Sequence, residues 1–459
     1  MKIFTSKKTM VAVLLFCLCN TVYSQTKDVT TEAGKLSEHI SADEQKSITT
    51  LKVSGTINGS DILLLRKMAG KGADDNATFE GKLSSLDLSE AQIVSGGANY
   101  YSTKVGSTTK YFQPTKDNVI APYMFKGLTN LTTLKLPTNI TKIERYAFSG
   151  CSGLTECTIP NDVTSIGANA FAQCSKLSSV TLSSSLEEIG TSAFENCTSL
   201  ATISEFPESL STIDEKAFLN TVITAFNVSS ANNDFSVEDG VLYDKEKTTL
   251  QLYPCGRTEG VFTIPQEVSG IDNYAFAYAK NLKSIELSEN LTTINESAFI
   301  YSGLETLTTN ASGLSIGKFA FGYCTGLKTV SFKGAVSGIA VNAFQYANNL
   351  LTVSFAGAAV PELSSMIFTP KPRGEKLKIY VPKESIEMYK NAFTKKKAVL
   401  GTNYDVLDIT TLGVLNPSFD SNVVETSRYN VDGTKVTTRT KGINIVKLSN
   451  GKVIKTIEK

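Results

Sequence analysis

Residues 166–177 read Ile166-Gly-Ala-Asn-Ala170-Phe171-Ala-Gln-Cys174-Ser-Lys-Leu177, and the same frame returns along the middle of the chain. Its phenylalanines are Phe148, Phe171, Phe194, Phe218, Phe276, Phe299, Phe321 and Phe344, separated by 23, 23, 24, 58, 23, 22 and 23 residues. Alanine precedes every one of them: Ala147, Ala170, Ala193, Ala217, Ala275, Ala298, Ala320 and Ala343. Five residues before each stands isoleucine: Ile143, Ile166, Ile189, Ile213, Ile271, Ile294, Ile316 and Ile339. Leucine follows six residues after the ring at Leu154, Leu177, Leu200, Leu282, Leu327 and Leu350, with Leu131 after a weaker start at Phe125. A fixed period of this size means one coil of a solenoid stacked on its neighbours.

The coil has a physical reading. In Leu131-Thr-Thr-Leu134-Lys-Leu136-Pro137 apolar and polar residues alternate as in a short half-buried strand. Pro137 and Pro160 close their strands because proline offers no ladder donor. Val163–Ile166 reads as a second extended piece, and 169–174 as one short helical turn. The alanine stays small where the turn presses on the next coil. The ring fills the interior, with equivalent positions about 4.8 Å apart.

The pattern Ile-x-x-x-Ala-Phe-x-x-Cys-x-x-Leu, preceded by Ile-Pro or Leu-Pro, resembles the leucine-rich repeats of BspA-like bacterial surface proteins over roughly residues 48 to 395. Asp234–Asp244, Thr249–Pro254 and the ending Tyr380–Tyr389 resemble that family as well. The resemblance implies a leucine-rich-repeat solenoid, β-rich with short helical turns, and a secreted binding or adhesion role. It names no ligand.

Composition narrows the function. There are 45 basic and 44 acidic residues; so neutral a chain carries no electrostatic footprint for nucleic acid and no polybasic membrane patch. With His39 as the single histidine, a zinc site with two His ligands is excluded, and a Ser-His-Asp triad would need His39 as its base. A hydrophobic fraction of 41% with 23 Phe excludes global disorder.

Lys2, Lys7 and Lys8 precede an apolar run from Met10 to Leu18, with Val22 and Ser24 before a cut ahead of Gln25. That is the order of a secretory signal over 1–24, too short for a permanent span. Cys17 and Cys19 lie within it, but Phe16 and Leu18 stand where lipidation wants a small residue. No other stretch reaches transmembrane length. Residues 25–120 read as an N-terminal cap with atypical repeats, 121–395 as the array, 396–417 as a linker and 418–459 as a small all-β tail. The tail alternates like three strands with Gly turns and resembles the sorting domains of type IX secretion substrates; a simple capping unit is the other reading. The long interval between Phe218 and Phe276 holds an insertion at about 227–262, with Val241–Tyr243 and Leu250–Tyr253 flanking a charged tip as a hairpin.

No residue group reads as catalytic, and no cofactor or metal is expected. Cys151, Cys174 and Cys197 share one repeat position, a spacing open to a disulfide or a thiolate site. Ala279, Ser302 and Ala347 at that position favour a small buried slot. Glu187 and Glu188 read as a solvated edge. The outward positions of the strands include Thr133, Lys135, Glu156, Thr158, Thr181, Glu286, Thr306, Thr308 and Thr329, a hydroxyl-lined face with almost no aromatics. Threonine suits any strand, so this face is equally a solvated one. Tyr243 and Tyr253 are then the aromatic anchors on offer, and a partner is expected to bridge the face and the hairpin. Arg at Thr306 and Thr329, or loss of 241–253, should weaken binding without unfolding. The partner would be an extracellular protein or glycan. A surface scaffold is the structural alternative, and an enzyme acting on an extracellular polymer the least favoured class.

Overall fold

The computed structural model describes residues 25–369, 375–398 and 403–413, and strands within 425–458. The signal expected over 1–24 lies outside the described residues.

Each coil of the array makes two short strands and a turn. One ladder of parallel strands contains Glu156–Thr158, Ser179–Thr181 and Thr202–Ile203. A second contains Val119–Ile120, Lys142–Ile143, Ser165–Ile166, Glu188–Ile189 and Thr212–Ile213. Equivalent positions pair across coils, Ile166 with Ile143 and Ile189, so the repeated isoleucine is a column along the second ladder. The leucine six residues after each ring is buried on the way to the next strand.

The Ala-Phe step is where coils lock together. The Phe171 N–H donates to the Ala193 carbonyl at 2.8 Å, as Phe148 does to Ala170 at 2.7 Å and Phe194 to Ala217 at 2.8 Å. A side chain larger than alanine would part the coils at this contact. The rings stack inside, 4.9 Å from Phe148 to Phe171 and 5.3 Å from Phe171 to Phe194, nearly parallel. Each ring is fully buried, which stabilises by roughly 1.5–3 kcal/mol, with a stacked pair adding about 0.5–1.5 kcal/mol.

The segment around the ring is a double turn rather than the expected helical turn. The residues two before and two after each Phe take left-handed backbone: Asn169 (φ 57°) and Gln173 (φ 63°) around Phe171, Ser192 (φ 57°) and Asn196 (φ 61°) around Phe194. Two reversals within five residues fold the chain sharply around the ring, which a right-handed helix cannot do.

At the N-terminal end Gln25–Thr31, Ile48–Ile57 and Ser85–Ile93 pair in parallel and continue into Thr133–Lys135, so the cap and the strand of the first coil share one four-stranded sheet. The helix Gly59–Met68 covers it, started by a capping box between Asn58 and Asp61. Asp61 also accepts from the N–H groups of Gly34 at 2.6 Å and Leu36 at 3.0 Å. Buried Arg66 binds the cap to the first coil: Nε donates to the Gly72 carbonyl at 2.9 Å, and Nη1 to those of Met124 at 3.2 Å and Lys126 at 3.1 Å.

Beyond the insertion both ladders resume. Val261–Thr263, Ser284–Glu286, Thr306–Thr309, Thr329–Phe332, Thr352–Phe355, Leu377–Val381 and Tyr404–Asp408 form one continuous parallel ladder. Its last strand corrects the expected linker at 396–417, because Tyr404–Asp408 pairs along the full length of Leu377–Val381. The helix Ile386–Lys396 closes this end with Tyr389 and Phe393 buried, the latter ring 6.2 Å from Phe368. The tail contains Glu425–Asn430, Lys435–Val436, Gly442–Leu448 and Val453–Glu458 in one antiparallel sheet, four strands where three were expected.

Candidate functional site

The strand ladders place most of the expected positions outward. Thr133, Glu156, Thr158, Thr181, Glu286, Thr306, Thr308 and Thr329 are exposed, each flanking a buried Leu134, Cys157, Val180, Ile285, Leu307 or Val330. In the seven-stranded ladder, Thr306 pairs with Ser284 and Thr329, and Thr308 with Glu286 and Ser331, giving two parallel rows of polar groups. Two ion pairs lie along the strands: Lys328 lies 3.1 Å from Glu305, and Lys135 lies 2.9 Å from Asp87 on the N-terminal sheet. The face is flat, polar and close to neutral.

Tyr243 and Tyr253 are not part of it, which corrects the expectation of an exposed aromatic anchor. They are 1% and 3% exposed. Tyr253 stacks 4.8 Å from Phe276, and its N–H donates to the Ala275 carbonyl at 2.8 Å. Those are the contacts of a ladder phenylalanine, and 253 precedes 276 by one period. The segment from Tyr253 is therefore a full coil with tyrosine in the ring position. The extra chain is the stretch before it, smaller than the expected 227–262. There Phe235–Glu238, Val241–Asp244 and Thr249–Leu252 form an antiparallel meander containing the expected hairpin. Its last strand enters the second ladder beside Gly270–Ile271. Tyr243 is buried in the core of the second half. Fully buried Asn232 fixes the entry, donating to the carbonyls of Pro207 and Leu210 at 2.8 Å and accepting from the Phe235 N–H at 2.8 Å. Beside the meander a depression of about 330 Å³ is lined by Asp239, Gly240, Arg257 and Glu259 among others, with Arg257 already paired to Asp239 at 2.8 Å.

A second surface feature lies on the turns. Tyr278, Tyr301, Tyr323 and Tyr346 occupy the left-handed position two residues after the ring, with φ of 58–63°. Earlier coils fill that position with Gly127, Gly150, Gln173, Asn196 and Asn220. Non-glycine residues in this conformation cost roughly 1–2 kcal/mol each, with Asn the best tolerated. Tyr301, Tyr323 and Tyr346 stack at 4.6 and 4.4 Å, Tyr278 lies tilted 4.9 Å from Tyr301, and Tyr301 and Tyr346 remain 39% and 42% exposed. Lys280 Nζ lies 5.5 Å from the Tyr278 ring at one end. The signal was open to sequence reading: the four tyrosines follow the same 23-, 22- and 23-residue steps as the phenylalanines.

The cysteine column has a structural role. All six cysteines described are free. Cys151, Cys174, Cys197 and Cys324 each donate to the carbonyl of the phenylalanine one coil earlier, at 3.0–3.2 Å. Burial pushes the Cys151, Cys157 and Cys324 thiols up to about 12, so they stay protonated and poorly nucleophilic at neutral pH. His39 is exposed at the end of the short helix Leu36–His39. Among the described residues no three His, Cys, Asp or Glu side chains stand together as a metal site, and no helix is long and apolar enough to cross a membrane.

These features define a leucine-rich-repeat β-solenoid with an extended strand face. The family model for the BspA type leucine rich repeat region matches residues 118–243 and 253–371, more than half of the chain, and the protein belongs to that family. The break between the two matched segments falls just before Tyr253, where the regular coils resume. Among solved structures the chain is similar to a leucine-rich repeat protein from Eubacterium ventriosum, with 26% identity over 61% of this chain and 73% of that one (TM-score 0.44). It is also similar to the pneumococcal vaccine antigen PcpA, with 20% identity over 67% and 87% (TM-score 0.44). A leucine rich cell surface protein from Faecalibacterium prausnitzii shares 19% identity over 79% of each chain (TM-score 0.46). No curated protein matches the sequence.

Proposed function

We propose that the protein is a secreted, cell-surface binding or adhesion module without catalysis, taking an extracellular protein or glycan on its strand face. The observation that carries this reading is the run of exposed Thr306, Thr308, Thr329 and Glu286 in register on one rigid ladder. A preformed ladder presents a large surface with little ordering cost on binding. Membership of a repeat family whose solenoids serve as binding scaffolds supports it, as does the charged, apolar and small-residue order of residues 1–24. Export by a type IX route is read from the tail. A chain ending near Asp420 keeps the whole array, including Tyr404–Asp408, and should fold yet fail to reach the surface. Surface display of that truncated chain would make the tail a simple cap.

The test of binding is a screen of the purified chain against matrix proteins, glycans and bacterial cells. A saturable ligand whose retention is lost on Thr306→Arg/Thr329→Arg, with an unchanged melting curve, is the expected result. The second reading, a scaffold that spaces other surface parts, is favoured by the neutrality of the face and predicts no saturable ligand.

A further inference from the structure

The tyrosine column on the turns is not required by the fold, since glycine and asparagine hold the same backbone in the earlier coils. Nor does it offer a stacking platform. The faces of the middle rings are taken by their neighbours, and what points outward is ring edges and hydroxyls. The geometry instead suits chemistry between the rings. Tyr323 has a stacked neighbour on either side, at 4.6 and 4.4 Å with ring planes 23° and 24° apart, on backbone fixed by cross-coil hydrogen bonds. The Tyr301 N–H donates to the Gly322 carbonyl at 3.1 Å, and the Tyr323 N–H to that of Gln345 at 2.8 Å. Desolvation, and then the phenols of Tyr301 and Tyr346, hold the Tyr323 hydroxyl above its ordinary range. The partners are thus prepositioned, and the reaction between them is intramolecular.

We propose that the Tyr301–Tyr323–Tyr346 column is an oxidative cross-linking site, at which peroxide acting through a haem peroxidase joins neighbouring rings as dityrosine and staples successive coils. Each of two phenols gives up one electron and its hydroxyl proton, and one hydrogen peroxide takes both pairs to become two waters. The resulting phenoxyl radicals carry spin on their ortho carbons, and two such carbons form the bond. Each displaced ortho hydrogen then moves to the oxygen of its own ring, restoring two phenols. No other atom is gained or lost. The link is a carbon–carbon bond between coils otherwise held by main-chain hydrogen bonds and packing, in the half of the array beyond the meander.

The experiment treats the dilute purified full chain with hydrogen peroxide and a haem peroxidase. The expected result is dityrosine fluorescence in the monomer fraction and a higher melting temperature. Mass spectrometry of the digest should find joined peptides carrying Tyr301 with Tyr323 or Tyr323 with Tyr346, lighter by two hydrogens. Tyr301→Phe/Tyr323→Phe keeps the rings but cannot form the radicals, and it should lose those joined peptides. Tyr346→Phe alone should lose only the Tyr323–Tyr346 link, which separates a failed site from a misfolded variant. The proposal is overturned if the joined peptides connect two molecules through Tyr111, which is 66% exposed. It is equally overturned if links map only to the stacked tyrosines Tyr101, Tyr123 and Tyr146, or if the double variant gives an undiminished intrachain yield.

Discussion

At the scale of the residue, the array rests on what sits in three small slots: alanine at the coil contact, phenylalanine inside, and a left-handed residue on either side. Phe171 is fully buried between two stacked rings. Phe171→Ala should therefore destabilise the chain by about 3–5 kcal/mol in a denaturant titration, the usual cost of an aromatic cavity. An unmoved transition would contradict the register assigned to the repeat. His39→Ala, at an exposed position, should leave the same transition in place.

Residues also show where sequence reading stopped. Hydrophobic period and small-residue slots were legible because burial is recorded directly in residue type. Tyr243 and Tyr253 were misplaced because a tyrosine is amphipathic: its type is compatible with a surface or a core. Only the 23-residue step back from Phe276 distinguishes Tyr253 as a ring of the ladder. The left-handed turns were missed because non-glycine residues such as Gln173 and Tyr323 give no local sign of positive φ. The outward threonines were placed correctly, since alternation decides which side of a strand a residue takes. Whether a partner touches them is not a matter of alternation, so that part was not legible.

Among the elements, the cap and the meander are held by particular polar groups, and each gives a test. Arg66 on the helix Gly59–Met68 satisfies carbonyls of the first coil from a site 1% exposed. Arg66→Ala leaves those carbonyls unpaired and a void beside Tyr101, and should lower stability by at least about 3 kcal/mol. On the strand Ser85–Ile93, Asp87 is partly desolvated, which raises its pKa. The Ser89 hydroxyl and N–H and the Lys135 ammonium outweigh that and hold the carboxyl at about 2, against an ordinary 3.8. A carboxylate depressed on folding contributes stability that is complete above its unfolded pKa and is lost as pH falls toward the folded one. Stability should thus decline between about pH 4 and 2. Asp87→Asn should flatten that part of the decline and lower stability at pH 7, as read by denaturation across the range. Removal of 241–253 is no longer expected to be harmless. It takes out Val241, Leu242, Leu250 and Tyr253, all buried where the two halves of the core meet. The shortened chain should lose its cooperative transition.

For the whole molecule, the two ladders and the ring column make a stacked body that presents the strand face as a broad regular surface. Solenoid stability is a sum of coils and their contacts, so change on the exposed face leaves the body intact while altering what it presents. The outward positions there are mostly hydroxyls, and Lys328 with Glu305 and Lys135 with Asp87 are paired, so binding should be modest in strength and weakly dependent on salt. Placing arginines at Thr306 and Thr329 introduces two bulky cations, adjacent in the ladder, without touching Leu307 or Val330 beneath. The most direct measurement is the affinity of a ligand captured in the screen for the unaltered chain and for Thr306→Arg/Thr329→Arg, each checked by its melting curve. The account predicts matching melting curves and a large loss of affinity in the variant. Equal affinity for the two chains would contradict it.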